Sequence, residues 1–214
     1  MPEDWEKFWN KESIITKIID FARENYFSKV PIYYLGNVKG KSILEPGCGT
    51  SQTLVKIAKL AKKVTATDIS DNALAISRMN FKKNKIPQEK YIVAKDDLKN
   101  MKFRSGSFDI TFNCSVLEHF DDDKINSRPL EEMIRVTKKK GRIIFLVPSK
   151  YSFFYLYYLL TRLRWFRKLY PWEEHCRYYT FGMLRNQLER LGVRYRIKLS
   201  WRSFLIFLVA EIEK

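Results

Sequence analysis

ILEPGCGTSQTL, residues 43–54, sets an apolar pair and an acid before two glycines one residue apart, then runs through small polar residues into a helix-like segment. A strand that ends in such a turn and feeds a helix is a ligand-binding corner of doubly wound sheets, because the helix N-terminus presents free N–H groups there. Gly47 and Gly49 supply positive φ and let a ligand approach the backbone closely. Phosphate is the usual guest of this corner, yet Glu45 stands at its mouth. A carboxylate repels phosphate in a partly dry cleft. The group that meets this turn is therefore expected to be cationic.

Outward from the turn, apolar runs alternate with helical patterns. The candidate strands are SILE (42–45), KVTATD (63–68), YIVA (91–94), FDITFN (108–113), RIIFLV (142–147), VRYRIKLS (193–200) and FLIFLVAEI (204–212). Helical segments are expected at 51–61, 71–84, 124–138 and 180–191, with one or two more before residue 36. Ser70 or Asp71 suits the N-cap of the second, Thr180 that of the fourth, and Gly192 follows the last helix. Such alternation builds a parallel sheet with helices on both faces. Only Trp201, Arg202 and Ser203 separate the last two strands, and so short a link forces an antiparallel hairpin. The expected fold is α/β: a Rossmann-like, doubly wound, seven-stranded mixed sheet with an antiparallel C-terminal strand hairpin. One domain is expected over residues 1–214, with an N-terminal helical cap (1–38), a cofactor-binding core (39–148), an aromatic and basic lid insert (149–179) and a closing helix and hairpin (180–214).

With 45% apolar and 30% charged residues, the chain has a globular composition. Its net charge of +16 suits an anionic surface, nucleic acid or acidic lipid, or simply a lysine-rich exterior, since the 40 Lys and Arg are scattered. Cys48, Cys114 and Cys176 are odd in number and lack metal-binding spacing, so free thiols in a reducing compartment and no metal site are expected. MPEDWEKFWNKE has no signal-peptide apolar core, which points to the cytoplasm. Between Arg142 and Arg162 the only charge is Lys150, but IIFLV (143–147) stops at Pro148 and reads as a strand. The remaining uncharged run, Tyr151 to Thr161, is too short to span a bilayer.

The second strand ends at Asp68, where an acid binds both hydroxyls of an adenosine ribose in such sheets. A dinucleotide fingerprint would place glycine or alanine where Gln52 stands. Glu45 and Gln52 together disfavour a nicotinamide-dependent oxidoreductase.

In these residues the chain resembles the class I S-adenosylmethionine-dependent methyltransferases, most closely their small-molecule, type 11-like branch, across roughly residues 40–148. Glu45-Pro46-Gly47-Cys48-Gly49 matches the family's acid-x-Gly-x-Gly motif, with Ser51 in place of a third glycine. The resemblance implies S-adenosyl-L-methionine as cofactor, Glu45 facing its amino end, and Asp68, with Ile69 beside it, at the ribose. KDDLKNMKF (95–103) resembles the segment after the third strand, which implies Asp97 on the adenine amino group and Leu98 against the ring. SFDITFNCSVLEHFDD (107–122) resembles the fourth strand and its turn, implying Asn113 and Cys114 beside the methionine moiety and His119 near the acceptor. LEEMIRVTKKKGRIIFLVP (130–148) resembles the next helix, turn and strand, the turn reading Lys139-Lys140-Gly141-Arg142.

A base is needed only where the methyl acceptor must lose a proton, and histidine is best poised for that near neutral pH. His119 and His175 are the only histidines. His119 is a candidate base, although a backbone hydrogen bond at the end of the fourth strand ranks ahead of proton transfer. His175, in PWEEHCRYYT (171–180), is equally a base, an acceptor hydrogen-bonder or a surface residue.

YSFFYLYYLLTRLRWFRKLYPW (151–172) holds ten aromatics and, as a helix, aligns Leu156, Leu159, Leu163, Phe166 and Tyr170 on one stripe. It reads as an acceptor lid, as a segment dipping into a membrane interface, or as core packing and dimer contact. Arginine with aromatics also stacks on RNA bases, but no nucleic-acid module is appended, so that reading ranks behind. WEKFW (5–9) is expected to close over the cofactor or to pack on the surface. The expected function is methyl transfer to a small-molecule or lipid-like acceptor. The alternatives are an RNA or protein methyltransferase, or a non-catalytic membrane- or partner-binding protein of the same fold.

Overall fold

Ile143, Ile144, Phe145, Leu146 and Val147 are each 0% exposed, so the IIFLV run is a strand covered on both faces. The computed structural model describes residues 23–120, 127–153, 155, 156, 159 and 177–214. His175, Cys176, the WEKFW segment and all of 160–172 lie outside the described residues.

Seven strands form one sheet: β1 (Ser42–Pro46), β2 (Lys63–Asp68), β3 (Tyr91–Lys95), β4 (Phe108–Cys114), β5 (Thr137–Pro148), β6 (Tyr195–Leu199) and β7 (Phe207–Glu213). Their order is β3-β2-β1-β4-β5-β7-β6. β1 to β5 pair in parallel, and β7 runs antiparallel to both β5 and β6. The expected mixed, doubly wound sheet is what forms.

Helices cover both faces. α1 (Lys29–Leu35), α2 (Gln52–Ile57) and α3 (Asp71–Lys83) contribute Leu35, Leu54 and Phe81 to one core. α4 (Ser127–Val136) and α5 (Phe181–Arg190) contribute Met133 and Leu184 to the other. The caps follow from side-chain chemistry. Ser70 accepts the Ala73 N–H at 3.1 Å, and Thr180 accepts the Met183 N–H at 3.2 Å. Gly192, at φ +63, donates its N–H to Glu189 at 3.1 Å and ends α5.

Three boundaries differ from the sequence reading. α2 is shorter than 51–61, and Ser51 before it sits in the left-handed region at φ +56. The Lys139–Arg142 turn is a bulge within β5: its pairing jumps from Thr137 to Arg142 while β4 advances only from Phe108 to Ile110. β7 begins at Phe207, not 204, because Phe204 and Leu205 are left-handed, at φ +50 and +63, and belong to the turn.

The insert is rooted at the carboxyl end of β5. Tyr179 donates its N–H to Pro148 at 2.8 Å and accepts the Lys150 N–H at 2.9 Å. Tyr179 is also 2% exposed. These bonds close the base of the 149–179 segment at the carboxyl ends of the strands.

Candidate cofactor and acceptor site

Strand order reverses at β1, which has β2 and β3 on one side and β4 and β5 on the other. The crevice beyond the carboxyl ends of β1 and β4 is where open α/β sheets bind ligands. The motif residues lie at or just beyond the carboxyl ends of four strands, β1, β2, β3 and β4.

The β1 turn is held from the second strand. Asp68 accepts the Gly49 N–H through one oxygen, at 2.9 Å, and the Ser70 N–H through the other, at 3.0 Å. A carboxylate accepts through both oxygens, at about four sites in all, which is the geometry a diol needs. The Cys48 N–H is spent on the Thr67 carbonyl at 2.9 Å, and the Cys48 side chain is buried in the core. Burial first, then the carboxylates of Asp68 and Glu45, push that thiol well above its ordinary range. Cys48 is thus a packing thiol, and its carbonyl accepts the Ser51 N–H at 2.8 Å to shape the turn.

Glu45 is 6% exposed, and its Oε2 makes no hydrogen bond among the described residues. Burial, and then the neighbouring charge of Asp68, push its carboxyl well above the usual carboxylate range. An orphaned, buried acid beside a second acid is a standing electrostatic cost that a cation relieves.

The third strand leads into a loop locked by its own acids. Asp96 accepts the Asp97 N–H at 3.1 Å and the Lys102 N–H at 3.1 Å, while Asp97 accepts the Lys99 N–H at 2.9 Å. Leu98 is buried in the core beside α4. That loop is also fastened to α4. Glu132 accepts the Met101 N–H at 2.7 Å, and Arg135 donates to the carbonyls of Phe103 and Met101 at 2.7 and 2.8 Å. The same Arg135 pairs with Glu132 at 2.7 Å.

At the end of β4, Asn113 is fully buried, with Nδ2 3.4 Å from the Met133 sulfur and Oδ1 without a partner among the described residues. Cys114 is half-buried. Ser115 then turns left-handed, at φ +57, and throws Val116 against Gly47. His119 closes the following helical turn, Leu117–His119, and is half-buried there. The Glu118 carbonyl accepts the Arg177 N–H at 3.2 Å, tying the far end of the insert to this turn.

The comparisons agree with this geometry. Residues 44–145 match the family model described as "Methyltransferase domain". An S-adenosyl-L-methionine-dependent Diels-Alderase of Talaromyces variabilis is 31% identical over 105 residues, 48% of this chain and 35% of that protein. A demethylmenaquinone methyltransferase of Bacillus cereus is 24% identical over 149 residues, 68% of this chain and 61% of that protein. Magnesium protoporphyrin IX methyltransferase from Synechocystis, solved with S-adenosylhomocysteine, superposes with a TM-score of 0.69 at 16% identity, covering 99% of this chain and 93% of that one. Residues 44–145 belong to the class I S-adenosylmethionine-dependent methyltransferase family. The chain spans less than half the length of the first curated relatives it matches, 46%, 35% and 47% of theirs.

The residues present fit the cofactor of that family. The orphaned Glu45 oxygen suits an ammonium, the Asp68 carboxylate at the end of β2 suits ribose hydroxyls, and Asp97 with Leu98 offers an acceptor beside an apolar side chain. Gly47, Gly49, Asp68, Ile69, Asn113 and Cys114 come together at the same sheet edge, whereas the site role of His175 falls outside the described residues. Sequence reasoning missed Ser115, which is left-handed, Val116, which packs where a side chain on Gly47 would stand, and the Glu132–Arg135 pair. The periodicity of α4 leaves that pair looking like ordinary surface charge. Among the described residues no cluster of His, Cys, Asp and Glu could hold a metal ion, and no helix is long and apolar enough to cross a membrane.

Proposed function

We propose that this protein is an S-adenosylmethionine-dependent methyltransferase acting on a small, apolar or lipid-like acceptor. The observation that carries it is the convergence of buried Glu45 with Asp68 on the Gly47–Gly49 turn at the β1/β4 crevice. Glu45 takes the amino end of the cofactor, Asp68 with Ile69 the ribose, Asp97 and Leu98 the adenine, and Asn113 and Cys114 flank the methionine chain. The bound cofactor supplies an activated sulfonium methyl for in-line displacement. The chain's own task is then alignment and exclusion of water, which supplies on the order of 7–11 kcal/mol where reacting groups are well oriented.

The 149–179 segment acts as the acceptor lid. Its described part supports an apolar guest: Phe153, Leu156 and Leu159 are 78%, 52% and 42% exposed, more than a packing helix leaves bare. The Bacillus cereus relative is named for a quinone-type acceptor, which is of this class. The 151–172 stretch contacts a membrane surface peripherally while the lid collects its acceptor. His119 orients or deprotonates the acceptor, and His175 is the second candidate for that role.

Calorimetry tests the cofactor: S-adenosylhomocysteine is expected to bind and NAD to give no heat. Incubation with methyl-labelled S-adenosylmethionine and a cell extract tests the acceptor, because label is expected in the lipid-soluble fraction. Label confined to RNA or protein would replace this acceptor class, and binding with no label anywhere would favour a non-catalytic protein.

A further inference from the structure

The β6–β7 connection holds its aromatics outward against a conformational penalty. Trp201–Ser203 forms a short helical turn, and Phe204 and Leu205 follow it in left-handed backbone, a strained state for residues bearing a bulky side chain. The turn is fastened from within. Ser203 Oγ donates to the Ser200 carbonyl at 2.9 Å and accepts the Phe207 N–H at 3.1 Å, while the Leu205 N–H reaches Ser200 at 3.0 Å. The result is a rigid tip on which Trp201 is 79% and Phe204 74% exposed.

Residues of the N-terminal helical region brace that tip. The Tyr26 ring stacks on Phe204 at 5.8 Å, and its hydroxyl donates to the Arg202 carbonyl at 2.8 Å. The Arg202 guanidinium stands 3.9 Å over the Tyr33 ring. Behind the tip, Arg196 and Lys198 of β6, with Arg194 just before the strand, alternate with the half-buried Tyr195 and Ile197, and all three are exposed. Phe207 pairs with Pro148, and the Ile206 carbonyl accepts the Ser149 N–H at 2.7 Å. The tip therefore lies at the carboxyl end of the sheet, the end that carries the Gly47 turn and the root of the insert.

We propose that Trp201 and Phe204 form a wedge for a membrane surface bearing anionic headgroups, with Arg202 and the Arg194–Arg196–Lys198 ridge meeting the lipid phosphates. Indole and phenyl groups partition to the headgroup–acyl boundary, and basic side chains above them add electrostatic attraction. Leu156 and Leu159 of the insert, also exposed, gain from contact with acyl chains but offer no stacking face to a nucleobase. A second copy of the chain would bring a like-charged ridge toward itself about a two-fold axis. The wedge rests on the lipid-like acceptor reading for its purpose, since it points the crevice at the phase where such an acceptor dissolves. Its chemistry is independent of that reading.

The 214-residue chain is sedimented with vesicles of phosphatidylcholine, with and without phosphatidylserine. The wild type is expected to pellet with the anionic vesicles and to be released by high salt. Trp201→Ser/Phe204→Ser is expected to lower the partition coefficient by about tenfold or more while retaining S-adenosylhomocysteine binding. Arg194→Gln/Arg196→Gln/Lys198→Gln is expected to lose the preference for phosphatidylserine. Acyl-brominated lipid is expected to quench tryptophan emission less in Trp201→Phe than in the wild type. Equal pelleting of wild type and double variant, a wild type that stays in the supernatant, or an oligomer dissolved by the double substitution would each overturn the wedge. Vesicle binding is read without an acceptor, so a failure to methylate lipid-soluble material sinks the acceptor reading alone.

Discussion

Gly47 lies face to face with Val116: a Cβ on the glycine would stand 2.8 Å from both methyl carbons of the valine. This contact joins the turn after β1 to the turn after β4, on either side of the crevice. Gly47 also sits at φ +70, so its lack of a side chain is required twice. Gly47→Ala is expected to cost about 1–2 kcal/mol for the left-handed backbone, with a further penalty of about 1–3 kcal/mol for overpacking. S-adenosylhomocysteine affinity should fall with it, as measured by calorimetry. Adding Val116→Ala should relieve the overpacking alone. Full recovery in the double variant would show that the backbone conformation is unimportant.

The loop that offers Asp97 and Leu98 depends on a pair two turns into α4. Glu132 is nearly buried, and Arg135, whose side chain is 34% exposed, bonds both to it and to the carbonyls of Met101 and Phe103. The hydrogen bond from Arg135 holds the Glu132 carboxyl below the usual range, against the opposing effect of burial. Breaking a fully buried pair costs about 3–5 kcal/mol, and solvent screening of Arg135 brings the expectation for Glu132→Ala to about 2 kcal/mol at neutral pH. A depressed carboxyl stabilises the fold above its unfolded pKa and loses that contribution as pH falls through the folded one. The stability gap between wild type and Glu132→Ala, from denaturant titrations, should therefore narrow in acid. Cofactor affinity should weaken in the variant because Met101 no longer anchors the loop. A gap unchanged by pH would mean that packing, not charge, fastens it.

What the sequence disclosed, and what it hid, divides along the range of the forces involved. The Gly47 turn, the acids at Glu45 and Asp68, and the caps at Ser70 and Thr180 are local chemistry, since each residue type dictates its own backbone or nearest partner. The parallel sheet followed from alternation and the antiparallel hairpin from the short 201–203 link, whereas the order of the strands did not. Ser115, Phe204 and Leu205 gave no such signal, because nothing in a serine, phenylalanine or leucine asks for positive φ. Phe204 to Ile206 extended an apolar run and read as strand, when the turn is instead set by bonds to Ser200 and Ser203. Lys214 illustrates the same limit: its ammonium caps the carbonyls of Ile134 and Thr137 at 2.6 and 2.7 Å, some eighty residues away along the chain.

His119 separates two chemistries of the acceptor. Half-buried in the turn after β4, it lies at the same sheet edge as Asn113 and Cys114. If the acceptor loses a proton to it, the pH–rate profile should show a histidine-range ionisation, and His119→Ala should lower kcat by roughly 10²–10⁴-fold, the usual worth of general-base catalysis. His175→Ala provides the parallel measurement. Near-wild-type rates and unchanged profiles in both variants would leave alignment as the whole of the protein's contribution.

Glu45 should register cofactor binding as a proton count. Burial and then Asp68 raise its carboxyl, so below the ordinary carboxylate range the acid is neutral both folded and unfolded, and its burial is least costly there. As pH rises toward the folded pKa, the unfolded chain ionises first and Glu45 draws stability away from the fold. Relative to Glu45→Gln, the ligand-free wild type should therefore lose thermal stability as pH rises through this window. An ammonium delivered beside Oε2 reverses the preference and favours the carboxylate. Binding of S-adenosylhomocysteine at pH below the folded pKa should release protons, visible as a dependence of calorimetric heat on the ionisation enthalpy of the buffer. Glu45→Gln should abolish that release and weaken binding by about 1.5–3 kcal/mol, the worth of a hydrogen bond to a charged group. An identical proton count in wild type and Glu45→Gln would place the amino end of the ligand elsewhere and remove the electrostatic reason for an acid at this turn.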